Sequence, residues 1–212
     1  MVSISNVLRN PISGLTHFIG AGAAVLGIVH LLLRADDALH MVAFGIYGAT
    51  LLALYVSSTL YHWLLLGPAG ISRLRRVDHL MIFSFIAGTY TPVALLVFDG
   101  VLRWTLLGLI WGIAAAGWIV KLAWMHAPRP VYVGIYIGMG WVALFFAVPL
   151  VQAMNPPQLA LLIAGGLFYT VGAVCYTRKS PDPFPGVFGF HEIWHLFVMA
   201  GSAAHYFMVR TL

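Results

Sequence analysis

Residues 131–177 contain no Asp, Glu, Lys or Arg, and apolar runs nearly as free of charge recur along the rest of the chain. Such runs cannot form the surface of a water-soluble domain. Several reach the roughly 20 residues that a helix needs to cross a bilayer hydrocarbon core. Helices are the expected spanning elements because their backbone groups are satisfied within the segment. A membrane β-barrel would instead show short alternating segments, and none are present. The runs are not confined to the start of the chain, so a cleaved signal peptide does not account for them.

Composition agrees with a chain built for lipid: 61% of residues are hydrophobic and 8% are charged, against about 25% charged in ordinary soluble domains. Mean hydropathy is +0.94. The net charge of +5 does not point to nucleic acid, because the basic residues are scattered among loops and helix ends and make no face that follows a phosphate backbone. Cys175 is the single cysteine. It supports neither a disulfide framework nor a thiolate metal cluster, and is expected to be a buried structural thiol.

The sequence predicts an all-α integral membrane protein, a bundle of seven transmembrane helices forming a single domain over residues 1–212. The spans are expected at 15–33, 39–66, 79–98 and 104–121, then two within 131–177 divided at Asn155-Pro156-Pro157, and a last one at 187–209. Gly67-Pro68-Ala69-Gly70 and the basic run Arg73, Arg75 and Arg76 are expected to close the second span. With the N-terminus inside, one side holds Arg9, Arg73, Arg75, Arg76, Lys121, Arg129, Arg178 and Lys179, and the other Arg34, Arg103 and Arg210. That asymmetry predicts N-terminus in and C-terminus out. Trp63, Trp104, Trp124 and Trp194 are expected as interface anchors. Gly108, Gly112, Ala116, Gly117, Gly134, Gly138 and Gly140 are expected to permit close helix contact.

Polar residues that lipid penalises are more informative. Ser58 and His62 are four apart and share one helical face. Asp78-His79 marks the entry to the third span, and His191-Glu192-Ile193-Trp194-His195 puts two imidazoles one turn apart at the start of the last. With alternating spans, His62, Asp78, His191 and His195 fall at one depth below the inner surface. Three neutral imidazoles and a water make a catalytic zinc arrangement, although nitrogen ligands also admit cobalt or iron.

The expected ligands are His62, His191 and His195. Asp78 is then placed to orient the water or act as general base, and Ser58 to donate a hydrogen bond to substrate or water. Alternatives stand beside these roles. Asp78 can cap the third helix, and Ser58 can bond the preceding turn. Glu192 is either an interfacial carboxylate at a helix start or the base of a His-Glu-x-x-His motif. His17 is expected to make an interhelical hydrogen bond at the border of the chamber. His205, about 15 Å further along its helix than His195, is expected to pack or hydrogen-bond rather than ligate.

Taken together, Gly14-Leu15-Thr16-His17-Phe18-Ile19-Gly20, Ser58-Thr59-Leu60-Tyr61-His62, Asp78-His79, His191 to Phe197 and Ala204-His205-Tyr206 resemble the bacterial haemolysin III-like proteins. These are relatives of the progestin and adipoQ receptors and, more distantly, of alkaline ceramidases. The resemblance covers nearly the whole chain. It implies zinc on His62, His191 and His195, Asp78 at the metal-bound water, Ser58 nearby, and an intracellular N-terminus. One departure is that Arg9-Asn10-Pro11-Ile12-Ser13 lacks the acidic residue that many bacterial members carry before the Thr-His element.

The leading expectation is a zinc-dependent hydrolase of a lipid amide or ester, ceramide-like or another acyl lipid, in a bacterial inner membrane. The alternatives are a haemolysin-like channel or membrane-perturbing protein, and a non-catalytic receptor or regulator of membrane lipid state. Intramembrane peptide hydrolysis is a further option, disfavoured because no later helix follows the His-Glu-x-x-His motif.

Overall fold

The computed structural model describes residues 8–212. Seven helical rods follow one another: α1 Pro11–Leu33, α2 Ala38–Trp63, α3 Pro68–Val97, α4 Gly100–Ala123, α5 Arg129–Ala153, α6 Pro156–Arg178 and α7 Phe190–Val209. The first six are long and apolar enough to cross a membrane. The seventh has 20 residues, about 30 Å of helix, but His191, Glu192, His195 and His205 dilute its apolar character.

Local chemistry sets the helix starts. Pro11, Pro68 and Pro156 open helices where the missing amide hydrogen is no loss. Asp37 caps α2 by accepting from the His40 amide at 2.8 Å. Asn155 and Gln158 form a reciprocal capping box at α6.

Two rods are irregular. After Pro92, α3 widens into a π turn over Val93–Val97, and a 3-10 stretch over Trp141–Phe146 interrupts α5. The backbone freed at that interruption is satisfied by Tyr90 of α3, whose hydroxyl accepts from the Ala143 amide at 2.9 Å and donates to the Gly140 carbonyl. Lipid offers no such partner, so the neighbouring helix must supply one.

Neighbouring helices form a ring in the order α1, α2, α3, α5, α6, α7 and back to α1, while α4 packs outside against α3. The ring encloses a cavity of about 330 Å³ that no residue of α4 lines.

Several expectations need correction. The second helix stops at Trp63, not at residue 66, and α3 begins at Pro68. Arg73, Arg75 and Arg76 therefore lie in the first turns of α3, which Pro68 initiates, rather than in a loop. Asp78 sits well inside α3, whose N-cap is Gly67, so it does not cap that helix. Cys175 is half-buried rather than fully buried. Among the glycines expected to bring helices together, Gly117 does so against Phe83, while Gly108, Gly112, Gly134, Gly138 and Gly140 have open space beside them. Trp104 and Trp124 are exposed, but Trp63 packs between α1 and α2 and donates to the Pro11 carbonyl at 3.1 Å.

Candidate metal centre

Three helix ends meet at one end of the cavity. The last turns of α2 carry Ser58 and His62, the first turns of α7 carry His191 and His195, and α1 enters beside them with Ser13, Thr16 and His17. The i, i+4 spacing turns each α2 or α7 pair toward one side of its helix.

His62 Nε2 and His191 Nε2 stand 3.2 Å apart. Two nitrogens bound tetrahedrally at zinc distances would be about 3.3 Å apart. The His195 ring centroid lies 5.1 Å from that of His62 and 4.7 Å from that of His191. Each imidazole offers one ligand atom, and the three atoms lie within 4.8 Å of one another. The cluster can hold a metal ion.

The outer nitrogens fit the same use. His195 Nδ1 lies 3.1 Å from the Ser13 carbonyl oxygen and 3.0 Å from Thr16 Oγ1. Donation from Nδ1 to that carbonyl leaves Nε2 free to ligate. The Asn10 side-chain amide lies 3.3 Å from His62 Nδ1, and the Asn10 backbone amide donates to the His62 carbonyl at 2.8 Å. Partners of this kind orient a metal-bound histidine and fix its tautomer.

Asp78 and Ser58 line the same cavity as the three imidazoles. Ser58 is buried, and the Asp78 side chain is 14% exposed with Oδ2 3.5 Å from His79 Nδ1, too long for a strong hydrogen bond. The carboxylate is therefore available to a group in the cavity.

The remaining polar residues separate clearly. Glu192 accepts from the Ser13 hydroxyl and, at 2.8 Å, from the Gly189 amide. It is a cap that ties α7 to α1, not a free interfacial carboxylate. His205 accepts no metal role either, since its Nε2 lies 3.1 Å from the Leu162 carbonyl. His17 makes no interhelical hydrogen bond; it stacks on His195 with centroids 3.7 Å apart and planes 11° apart. The seam formed by Asn10, Ser13 and Thr16 behind the histidines was not anticipated. Its only sequence signal is the cluster of small polar residues one turn apart at the start of α1.

A ring of membrane-length helices around a cavity, with three convergent imidazoles at one end, defines a multi-pass membrane protein able to bind a metal. Residues 5–206 match the family described as haemolysin-III related. The chain is 36% identical to Hemolysin-3 of Bacillus cereus over 200 residues, covering 93% of this chain and 88% of that one. It is 35% identical to the Hemolysin-3 homolog of Bacillus subtilis, covering 99% and 95%. It is also 31% identical to the human monocyte to macrophage differentiation factor, covering 92% and 80%. The chain belongs to the haemolysin-III-related family.

Proposed function

We propose that this protein is a zinc-dependent intramembrane hydrolase that cleaves an amide or ester bond of a membrane lipid, ceramide-like or another acyl lipid. All seven rods of its single domain span a bacterial inner membrane, N-terminus inside, so the metal centre lies near the cytoplasmic leaflet. The observation that carries the reading is the 3.2 Å approach of His62 Nε2 to His191 Nε2, with His195 beside them on a cavity that Asp78 also lines. Among the described residues no fourth His, Cys, Asp or Glu joins that trio. Three protein ligands leave room for substrate, as in catalytic rather than structural zinc sites.

His62, His191 and His195 would hold the zinc, which would supply Lewis-acid chemistry to a carbonyl and to a water. The Asp78 carboxylate takes the proton of the attacking water. Ser58 Oγ donates to the carbonyl oxygen as it gains charge. Attack on the acyl carbon breaks its bond to nitrogen or oxygen, and Asp78 returns the proton to the leaving group. Leu54, Ile82, Ile86, Val133, Ile137 and Val198 supply apolar wall for an acyl chain.

Metal analysis coupled to unbiased lipid product profiling tests this reading. His191→Ala should lose both zinc and turnover, whereas Asp78→Asn should keep zinc and lose turnover by about 10²–10⁴-fold. Turnover by purified protein stripped of metal would refute the mechanism. The relatives named Hemolysin-3 suggest membrane perturbation as a second reading. Against it, an adjoining cavity that shares Thr89, Tyr90 and His205 with the first is walled by Val93, Leu106, Phe146 and Leu150, which opposes ion passage. Conductance in liposomes that survives chelation would favour the channel.

A further inference from the structure

Among the described residues, His17 is the one imidazole whose two ring nitrogens are both fully buried and both without a hydrogen-bond partner. It is 4% exposed, yet it lines the cavity. On one face it stacks on His195 at 3.7 Å, and Tyr55 meets it edge-on at 5.1 Å. These contacts hold the ring in place through its carbon skeleton and leave both nitrogens without a protein partner. A buried polar atom left without a partner costs about 1–3 kcal/mol, so such atoms are nearly always paired. Packing alone would be served better by phenylalanine, which stacks as well and brings no unpaired nitrogen.

We infer that His17 is a substrate-binding residue whose two ring nitrogens hydrogen-bond a polar group of the lipid beside the metal centre. A neutral imidazole presents one donor and one acceptor. Both are satisfied only by a ligand that accepts at one point and donates at another. An amide N–H or a hydroxyl next to the scissile carbonyl does this; a simple O-acyl ester, which can only accept, leaves the acceptor nitrogen unpaired. The stack places the bound group one ring thickness from the plane in which His195 offers its ligand nitrogen, beside the reacting carbonyl. His17 thus favours N-acyl amino alcohols over plain esters. The inference rests on the lipid-hydrolase reading for the identity of the site, and adds the residue that reads the substrate's polar group.

Equilibrium binding of radiolabelled N-oleoylethanolamine and of methyl oleate tests it, measured in detergent on the full-length, zinc-loaded protein with Asp78→Asn as the common background so that neither lipid is consumed. His17→Phe keeps the stack and removes both nitrogens. It should weaken N-oleoylethanolamine about tenfold, or 1.4 kcal/mol, and change methyl oleate less than twofold. His17→Gln, which restores one donor and one acceptor, should recover most of the loss. Zinc content and melting temperature should stay near those of the Asp78→Asn parent in both variants. Equal losses for the two lipids, no loss for either, or loss of zinc in His17→Phe would overturn the inference. So would an Asp78→Asn parent that binds neither lipid. Binding of N-oleoylethanolamine with the expected His17 dependence, together with a wild-type protein that never cleaves it, would refute the hydrolase and leave the binding role standing.

Discussion

Replacing Gly14 with alanine puts a methyl group where the Trp63 indole now lies. A Cβ built at Gly14 would stand 2.1 Å from Trp63 Cδ1 and 2.2 Å from Nε1, far inside van der Waals contact. The indole is held at two points. Phe18 packs on it with centroids 5.0 Å apart, and its Nε1 is anchored to the Pro11 carbonyl at 3.1 Å. Overpacking of this kind costs about 1–3 kcal/mol, and loss of the hydrogen bond adds about 1 kcal/mol. The sum, about 2–4 kcal/mol, corresponds to a fall in melting temperature of roughly 4–16 °C for a chain of this size.

The consequence reaches the metal centre because Trp63 follows His62, whose carbonyl accepts from the Asn10 amide. Zinc affinity should therefore fall together with stability. Thermal unfolding in detergent and competition with a chromophoric chelator measure the two effects. Gly45→Ala is the control: a Cβ there meets nothing within 4 Å, and alanine should stabilise the helix by about 0.5–1 kcal/mol. A Gly14→Ala variant that melts within about a degree of wild type would refute the account of how α1 is locked onto α2.

Other expectations follow from the same contacts. Chelation of protein held at a free zinc concentration of 100 times its Kd should remove about 2.7 kcal/mol, lowering the melting point by roughly 5–11 °C; an unchanged melt would argue against a metal in the native fold. Asn10→Leu should weaken zinc about tenfold while Asn10→Asp tightens it, since a carboxylate behind a ligating histidine raises its basicity; identical chelator titrations would show that Asn10 does not position His62. The His40 backbone amide, and then its ring, hold the Asp37 carboxyl below its ordinary range. Its folded pKa is depressed, so the stability it gives is present above the ordinary carboxylate range and disappears as pH falls through the folded value. Protection of the His40 and Met41 amides against exchange, relative to their intrinsic rates, should fall on acidification in wild type and stay constant in Asp37→Asn. Asn155→Ala, which breaks the capping box of α6, should cost about 1 kcal/mol, visible as a melting shift of roughly 2–4 °C.

The membrane architecture was legible because it is written in one dimension. A run of apolar residues long enough to cross hydrocarbon becomes a helix whatever lies beside it, and Asn155-Pro156-Pro157 had to divide 131–177 because proline ends one helix and opens the next. The grouping of His62, His191 and His195 was also legible, since spans that alternate in direction are expected to bring them to one depth. Alternation fixes depth but not which helices are neighbours. Only packing decided that α4 stands outside the ring, that Trp63 fills the space left by Gly14, and that the start of α1 supplies Asn10 and Ser13 behind the histidines. The same distinction explains Asp78 and Glu192. A carboxylate near a presumed helix start reads as a cap, but Pro68 begins α3 earlier and frees Asp78, while a hydroxyl from α1 engages Glu192. Spacing along a helix fixes the side from which a residue projects; what meets it there depends on side chains far away in sequence.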